Sequence, residues 1–279
     1  MIPAVSLPDG RKVPALGQGT WNLGTSRSDV AAEVRVLREG IDLGMSLLDT
    51  AEIYADGGAE RVVAQAIAGQ RDKVFLVSKV APSHASATAV VKHCDASLQR
   101  LGTAMIDLFL LHWPGRHPLA DTVAAFERLR ASGKIRYWGV SNFDTDEMET
   151  LLTLPRGANC ATDQVLYNPQ ERGPEFDLLP WCAKHRMPVM AYSPLGQAGN
   201  MLKSAALSSV AIRHDASPAQ IAIAWSLRSG GVISIPKASS LAHIRENAAA
   251  AAIKLTAEDL RTIDKAHKPP AQKQPLGII

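Results

Sequence analysis

Apolar residues along this chain fall into two kinds of stretch that take turns. Short runs such as Val74 to Lys79, Ile106 to His112 and Ile135 to Ser141 have the length and near-continuous hydrophobicity of strands buried on both faces. Between them lie longer segments whose apolar residues recur three and four positions apart. Asp29 to Leu43, for example, carries Val30, Val34, Leu37 and Ile41 on one face before Gly44 stops it. At the start, Ala4 to Leu7 and Lys12 to Pro14 flank Pro8-Asp9-Gly10, which predicts a short hairpin able to plug one end of a barrel.

Strands are then predicted at Leu16 to Trp21, Leu47 to Thr50, Val74 to Lys79, Ile106 to His112, Ile135 to Ser141, Thr162 to Leu166, Val189 to Tyr192 and Val232 to Ile235. The helices expected after them are Asp29 to Leu43, Ala59 to Ala68, Ala87 to Leu101, Leu119 to Ala131, Thr145 to Leu154, Phe176 to His185, Ser217 to Arg228 and Leu241 to Ala251. Ser217-Pro218 supplies an N-cap and a first helical position for the seventh of these. Ser193 to Asp215 is the one long excursion, with a helix from Lys203 to Arg213, and is large enough to act as a lid or clamp. Thr256 to Ala266 opens on the capping signature T-A-E-D and predicts an extra helix outside the series. The closing K-P-P-A-Q-K-Q-P-L-G-I-I is too rich in proline for regular structure.

Eight strand-helix units in a chain of 279 residues predict an α/β fold, the (β/α)8 TIM barrel, with an N-terminal hairpin and extra helices. A doubly wound sheet would carry G-x-G-x-x-G after its first strand, and that fingerprint is missing. No domain boundary or repeat interrupts the series, so residues 1–279 are expected to form a single domain.

Composition narrows the function classes. A net charge of +3 with both signs interspersed gives no basic stripe, which argues against nucleic acid as partner. Cys94, Cys160 and Cys182 are odd in number and far apart, as in a reduced intracellular chain, and lack metal-ligand spacing, so no metal is expected. Nowhere do 18 apolar residues run together, and M-I-P-A-V-S-L-P-D-G-R-K is unlike a signal peptide. A soluble cytoplasmic protein without a membrane partner is expected.

In a barrel the polar residues at strand C-terminal ends converge on one face. Here they are Asp49, Lys79, His112, Ser141, Asn142, Gln164, Tyr192 and Lys237, with Tyr54 five positions after Asp49. Each alone has a structural reading. Asp49 can cap a turn, Lys79 can snorkel, His112 can sit satisfied in a core, and Tyr54 and Tyr192 can simply pack. Their common placement at one end of successive strands favours a shared site.

The chain resembles the aldo-keto reductases nearly end to end. The resemblance rests on D-T-A-E-I-Y (Asp49 to Tyr54), S-K-V (Ser78 to Val80), L-L-H-W-P (Leu110 to Pro114), G-V-S-N-F (Gly139 to Phe143), D-Q-V-L-Y-N-P (Asp163 to Pro169), A-Y-S-P-L-G (Ala191 to Gly196) and I-P-K-A (Ile235 to Ala238), in the family's order. It is most similar to short bacterial members that reduce methylglyoxal and other small aldehydes. The resemblance implies a catalytic tetrad of Asp49, Tyr54, Lys79 and His112.

The chemistry of such a set can be reasoned independently. Adding hydride to a carbonyl carbon leaves charge on oxygen, which calls for a proton donor and a hydrogen-bond donor. Tyr54 is the candidate acid. A phenol titrates near pH 10, so Lys79, kept charged by Asp49, is expected to bring it toward neutrality. His112 would orient the carbonyl.

The resemblance also implies NADPH as cofactor, with NADH weaker. Gly19, Thr20 and Trp21 would line its cleft, and Ser141, Asn142 and Gln164 would hold the carboxamide. Tyr192 would stack on the nicotinamide, and Ser193, Leu195 and Gln197 would meet the pyrophosphate. Lys237, Ser240, His243, Glu246 and Asn247 match positions around the 2′-phosphate and adenine. Many members carry arginine where this chain has His243, whose charge near pH 7 is only partial. The NADPH preference is therefore expected to weaken as pH rises.

Trp21, Tyr54, His112 and Trp113 would face a small carbonyl substrate. The short loop after Trp113 and the brief tail imply an open pocket for small aldehydes and dicarbonyls, in a monomer. Two other readings remain at this point. One is a barrel that binds nucleotide to sense redox state and regulate a partner. The other is a Schiff-base lyase with Lys79 as its amine.

Overall fold

The computed structural model describes residues 1–279, with every side chain except that of Ala198. The hairpin forms as β1 (Ala4–Ser6) and β2 (Lys12–Pro14), paired antiparallel. Eight parallel strands follow in sequential order: β3 (Gln18–Gly19), β4 (Leu47–Asp49), β5 (Phe75–Val80), β6 (Ile106–Leu111), β7 (Ile135–Ser141), β8 (Cys160–Leu166), β9 (Val189–Tyr192) and β10 (Val232–Ser234). A parallel bridge between Leu16 and Ser234 joins the last strand to the first, with Gly17 N–H donating to the Ser234 carbonyl at 2.8 Å.

Helices alternate with the strands. They are α1 (Val30–Asp42), α2 (Gly58–Ile67), α3 (Ala89–Leu101), α4 (Leu119–Ala131), α5 (Thr145–Thr153), α6 (Leu178–Lys184), α7 (Ala205–Arg213), α8 (Pro218–Leu227), α9 (Leu241–Ala250) and α10 (Ala257–Ala266). Their ends follow local side-chain chemistry. Asp144 with Glu147, Ser217 with Gln220, and Thr256 with Asp259 each close a capping box, satisfying N–H groups that a helix start would otherwise leave unpaired. Among the described residues no helix is long and apolar enough to cross a membrane.

Two apolar layers hold the barrel. Val5, Leu7 and Val13 of the hairpin pack with Leu47, Val77, Leu108, Leu110, Met190 and Ile233 inside it, so the hairpin does seal one end. The larger layer lies between strands and helices and includes Leu48, Leu76, Phe109, Trp138, Val165 and Ile221.

The predicted boundaries shift in places. The first strand is shorter than Leu16 to Trp21, because the Thr20 N–H and hydroxyl both turn to the Asp49 carbonyl, at 3.0 and 2.9 Å. The helix expected from Phe176 starts at Leu178, because Gly173–Glu175, with Pro174, forms a separate short turn. The strand expected from Thr162 begins at Cys160.

Candidate active site

Asp49 ends β4, Lys79 lies in β5, and His112 follows β6 directly, so three neighbouring strands deliver them to one end of the barrel. Lys79 Nζ donates to Asp49 Oδ2 at 2.6 Å and to the Thr50 carbonyl at 2.9 Å, and reaches Tyr54 Oη at 3.4 Å. The other Asp49 oxygen accepts from Gln164 Nε2 at 2.7 Å. Burial works against the charge on Lys79, but the Asp49 carboxylate and the Tyr54 hydroxyl together more than offset it, so the ammonium titrates above the ordinary lysine value. Losing one partner of such a buried pair costs about 3–5 kcal/mol.

Tyr54 sits over this pair. The Lys79 ammonium is 5.0 Å from its ring centroid, and His112 meets the ring edge-on at 5.6 Å. The expectation that Lys79 brings the phenol toward neutrality does not hold here. Burial dominates, the Asp49 charge works in the same sense, and together they outweigh Lys79, leaving Tyr54 above the usual phenol value. The hydroxyl is thus protonated at neutral pH.

His112 is depressed to about 2 by burial and by the Lys79 charge. Its ring is neutral under all ordinary conditions and keeps one N–H to give. Its Nδ1 has no partner among the described residues. Asn142 holds the backbone there, donating from Nδ2 to the His112 carbonyl at 3.1 Å while Oδ1 accepts from the Tyr192 hydroxyl at 2.8 Å. Asn142 adopts φ +60°, a conformation asparagine tolerates better than most residues.

These groups open into a cleft of about 860 Å³. Of the predicted residues, Gly19, Thr20, Trp21, Asp49, Tyr54, His112, Trp113, Ser141, Asn142, Gln164, Tyr192, Ser193, Leu195, Gln197, Lys237, His243, Glu246 and Asn247 line it. Two do not. Lys79 is wholly buried behind Asp49 and Tyr54. That position and its raised pKa remove the Schiff-base reading, which needs a reachable, neutral amine. Ser240 caps α9, accepting from the His243 N–H at 3.2 Å, while its neighbour Ser239 lines the cleft.

Gly19 is small for a reason visible here: a Cβ would come within 2.8 Å of the Ile235 carbonyl across the closing seam. Toward the far end of the cleft, Asn247 is buried, and its Nδ2 has no partner among the described residues. Lys237 is exposed and makes no hydrogen bond or ion pair among them.

Sequence reasoning missed several walls. Ile53, Pro194, Leu202, Ser217 and Pro218 line the cleft, and so do Ile278 and Ile279. The tail reaches the mouth because Lys273 is tied to Asp144 and Asp177 at 3.0 and 2.5 Å and Leu276 packs on the outer apolar layer. No periodicity in a proline-rich segment signals such docking.

A parallel eight-stranded barrel with an Asp-Tyr-Lys-His cluster at its strand ends, matched by the aldo/keto reductase family model over residues 15–268, puts this chain in the aldo/keto reductase family. Among individual proteins, it is 51% identical over 271 residues to the methylglyoxal reductase YeaE of Escherichia coli strain K12, covering 96% of this chain and 95% of that one. The glyoxal reductase of Bacillus subtilis strain 168 is 32% identical over 264 residues, covering 95% and 92%. An aldo/keto reductase from Klebsiella pneumoniae, solved in complex with NADP and acetate, superposes with a TM-score of 0.97 at 47% identity and full coverage of both chains.

Proposed function

We propose that this chain, acting as one catalytic domain, uses NADPH to reduce small aldehydes and ketones, methylglyoxal-like dicarbonyls among them, to alcohols. The observation that carries the reading is the linkage of Tyr54 to the Lys79-Asp49 pair in the same cleft as a neutral His112. The relatives known as methylglyoxal and glyoxal reductases and the NADP complex of the Klebsiella protein support it.

The cleft suits a dinucleotide. Its volume is within the range of roughly 300–1,000 Å³ usual for ligand sites. Gln164 spends its N–H2 on Asp49, leaving its carbonyl oxygen for an amide N–H of the carboxamide. Ser141 and Asn142 adjoin it, and Tyr192 offers a ring face. Ser193, Leu195 and Gln197 are the candidates for the pyrophosphate. Lys237 and His243 present cation-forming groups for the 2′-phosphate, and the unpartnered Nδ2 of Asn247 awaits an acceptor such as an adenine nitrogen. When bound, the nicotinamide supplies the hydride.

The chain's own groups do the rest. His112, neutral, gives its N–H to the carbonyl oxygen and holds it beside Tyr54. Tyr54 passes its proton to that oxygen as charge develops, and Lys79 stabilises the phenolate left behind. Trp21 and Trp113 bound the substrate and limit water, which strengthens each of these interactions.

Wild type and Tyr54→Phe should be compared for NADPH consumption with methylglyoxal and a small-aldehyde panel. Turnover should fall by about 10²–10⁴ in the variant while NADPH binding is kept. A variant as active as wild type removes Tyr54 as the acid. Tight NADPH binding by a wild type that turns over nothing would favour the redox-sensing regulator instead.

A further inference from the structure

Three residues that no motif links meet on the flank of the cleft. Glu52, two positions before Tyr54, is buried, and its Oε1 accepts from the Ala81 N–H at 2.8 Å. His84 Nδ1 lies 2.8 Å from that oxygen, and His93 Nδ1 lies 2.6 Å from Oε2. One ligand atom from each residue falls within 4.8 Å of the others. They come from the loop after β4, the short turn Pro82–His84 and helix α3.

A clamp on the Glu52 carboxylate would be complete with Ala81 and one imidazole. The second imidazole is surplus to that purpose. It also stacks on the first, centroids 3.6 Å apart and planes 15° from parallel, which is unfavourable whenever both rings are charged. Two imidazole nitrogens and a carboxylate are the donor set of open divalent sites, zinc above all among metals with no geometric preference of their own.

We propose that Glu52, His84 and His93 bind a zinc ion, with water in the remaining position. The ion sits where the two Nδ1 atoms now meet the carboxylate, each ring ligating through Nδ1 and carrying its one proton on Nε2. It must lie in the plane of both rings, so one ring turns out of the stack. His84 is the one to turn, since its side chain is the more exposed of the pair, 38% against 26%.

The binding claim is independent of the reductase reading, and its effect on turnover rests on that reading. Drawing Glu52 to the ion weakens its hold on Ala81 and displaces the segment that ends in Tyr54. Zinc therefore lowers turnover.

Calorimetric titration with zinc chloride alone, in a non-chelating buffer, tests the site in wild type, His84→Ala and His93→Ala. Both histidines are partly exposed, and melting curves check that the variants are folded. Wild type should bind one zinc, and each variant should bind at least about tenfold more weakly. No zinc binding by wild type, or binding that neither substitution weakens, overturns the site. Zinc should also slow NADPH consumption by wild type and spare both variants, whose zinc-free rates should match wild type. Zinc held by these histidines without any loss of turnover overturns the coupling to Tyr54 but leaves the site. A wild type with no zinc-free turnover counts against the reductase reading, and the titration still decides the site.

Discussion

Replacing Lys79 by methionine keeps an unbranched side chain of nearly the same length and removes its charge. The ammonium stands 3.4 Å from Tyr54 Oη. At an effective dielectric of about 20, a unit charge at that distance favours the full phenolate by about 5 kcal/mol. A proton half-transferred in the transition state feels about half of this, so kcat should fall roughly 70-fold. The same substitution strands Asp49, whose remaining side-chain partner is Gln164. A loss of about 3–5 kcal/mol follows, or roughly 6–20 °C in melting temperature. The two effects separate in the double variant Asp49→Asn with Lys79→Met. With no charge left unpaired, the double variant should recover most of the stability and none of the rate. The assay is single-turnover reduction with bound NADPH, alongside thermal melts. A Lys79→Met protein that stays within about threefold of the wild-type rate would refute the role of Lys79 in proton transfer.

His112 is held neutral down to a pKa of about 2, whereas it takes up a proton near 6.5 once unfolded. Between those values the unfolded state binds the extra proton, so stability drops as pH falls, by about 2 kcal/mol from pH 6.5 to 5, and His112→Gln should flatten that part of the profile in acid melts. Asp259 is held below the usual carboxylate value despite burial, by His214, by the Thr256 N–H and by Arg213. Its contribution is present above about pH 4 and lost as pH falls toward its lowered folded value, and Asp259→Asn should cost about 1–3 kcal/mol at pH 7 with kcat unchanged. His243→Arg should lower the Michaelis constant for NADPH about three- to tenfold and leave that for NADH alone, and a parallel drop for both would remove His243 from 2′-phosphate recognition.

The sequence was most legible where local chemistry decides structure. Local signals such as Ser217-Pro218 marked a helix start, and the apolar runs around Leu76 and Phe109 read as doubly covered strands because they are. Tyr54 and Asp49 were conspicuous as chemistry placed at a strand end. What stayed hidden depends on distance in three dimensions. Glu52 meets its histidines across separations of 32 and 41 positions, and no spacing rule links them. The raised pKa of Tyr54 reflects burial, which no residue type announces. Ser240 shows why a hydroxyl at a helix start is hard to read: its cap on His243 is visible here, and the same oxygen still has a proton to donate.

The seam of the barrel is its thinnest part. Strand β3 has two residues and β10 three, and they are joined by the Leu16 bridge, by Gly17 and by a 3.1 Å bond from the Gly19 N–H to the Pro236 carbonyl. Both edges of this join line the cleft, Gly19 to Trp21 on one side and Ile235 to Lys237 on the other. On the function proposed above, a dinucleotide in this cleft would span the break like a stitch. Occupancy at a hundred times the dissociation constant adds about 2.7 kcal/mol to the folded state, and here that gain falls on the join that would breathe first. On that reading the fold leaves its shortest closure to be completed by the molecule it works with.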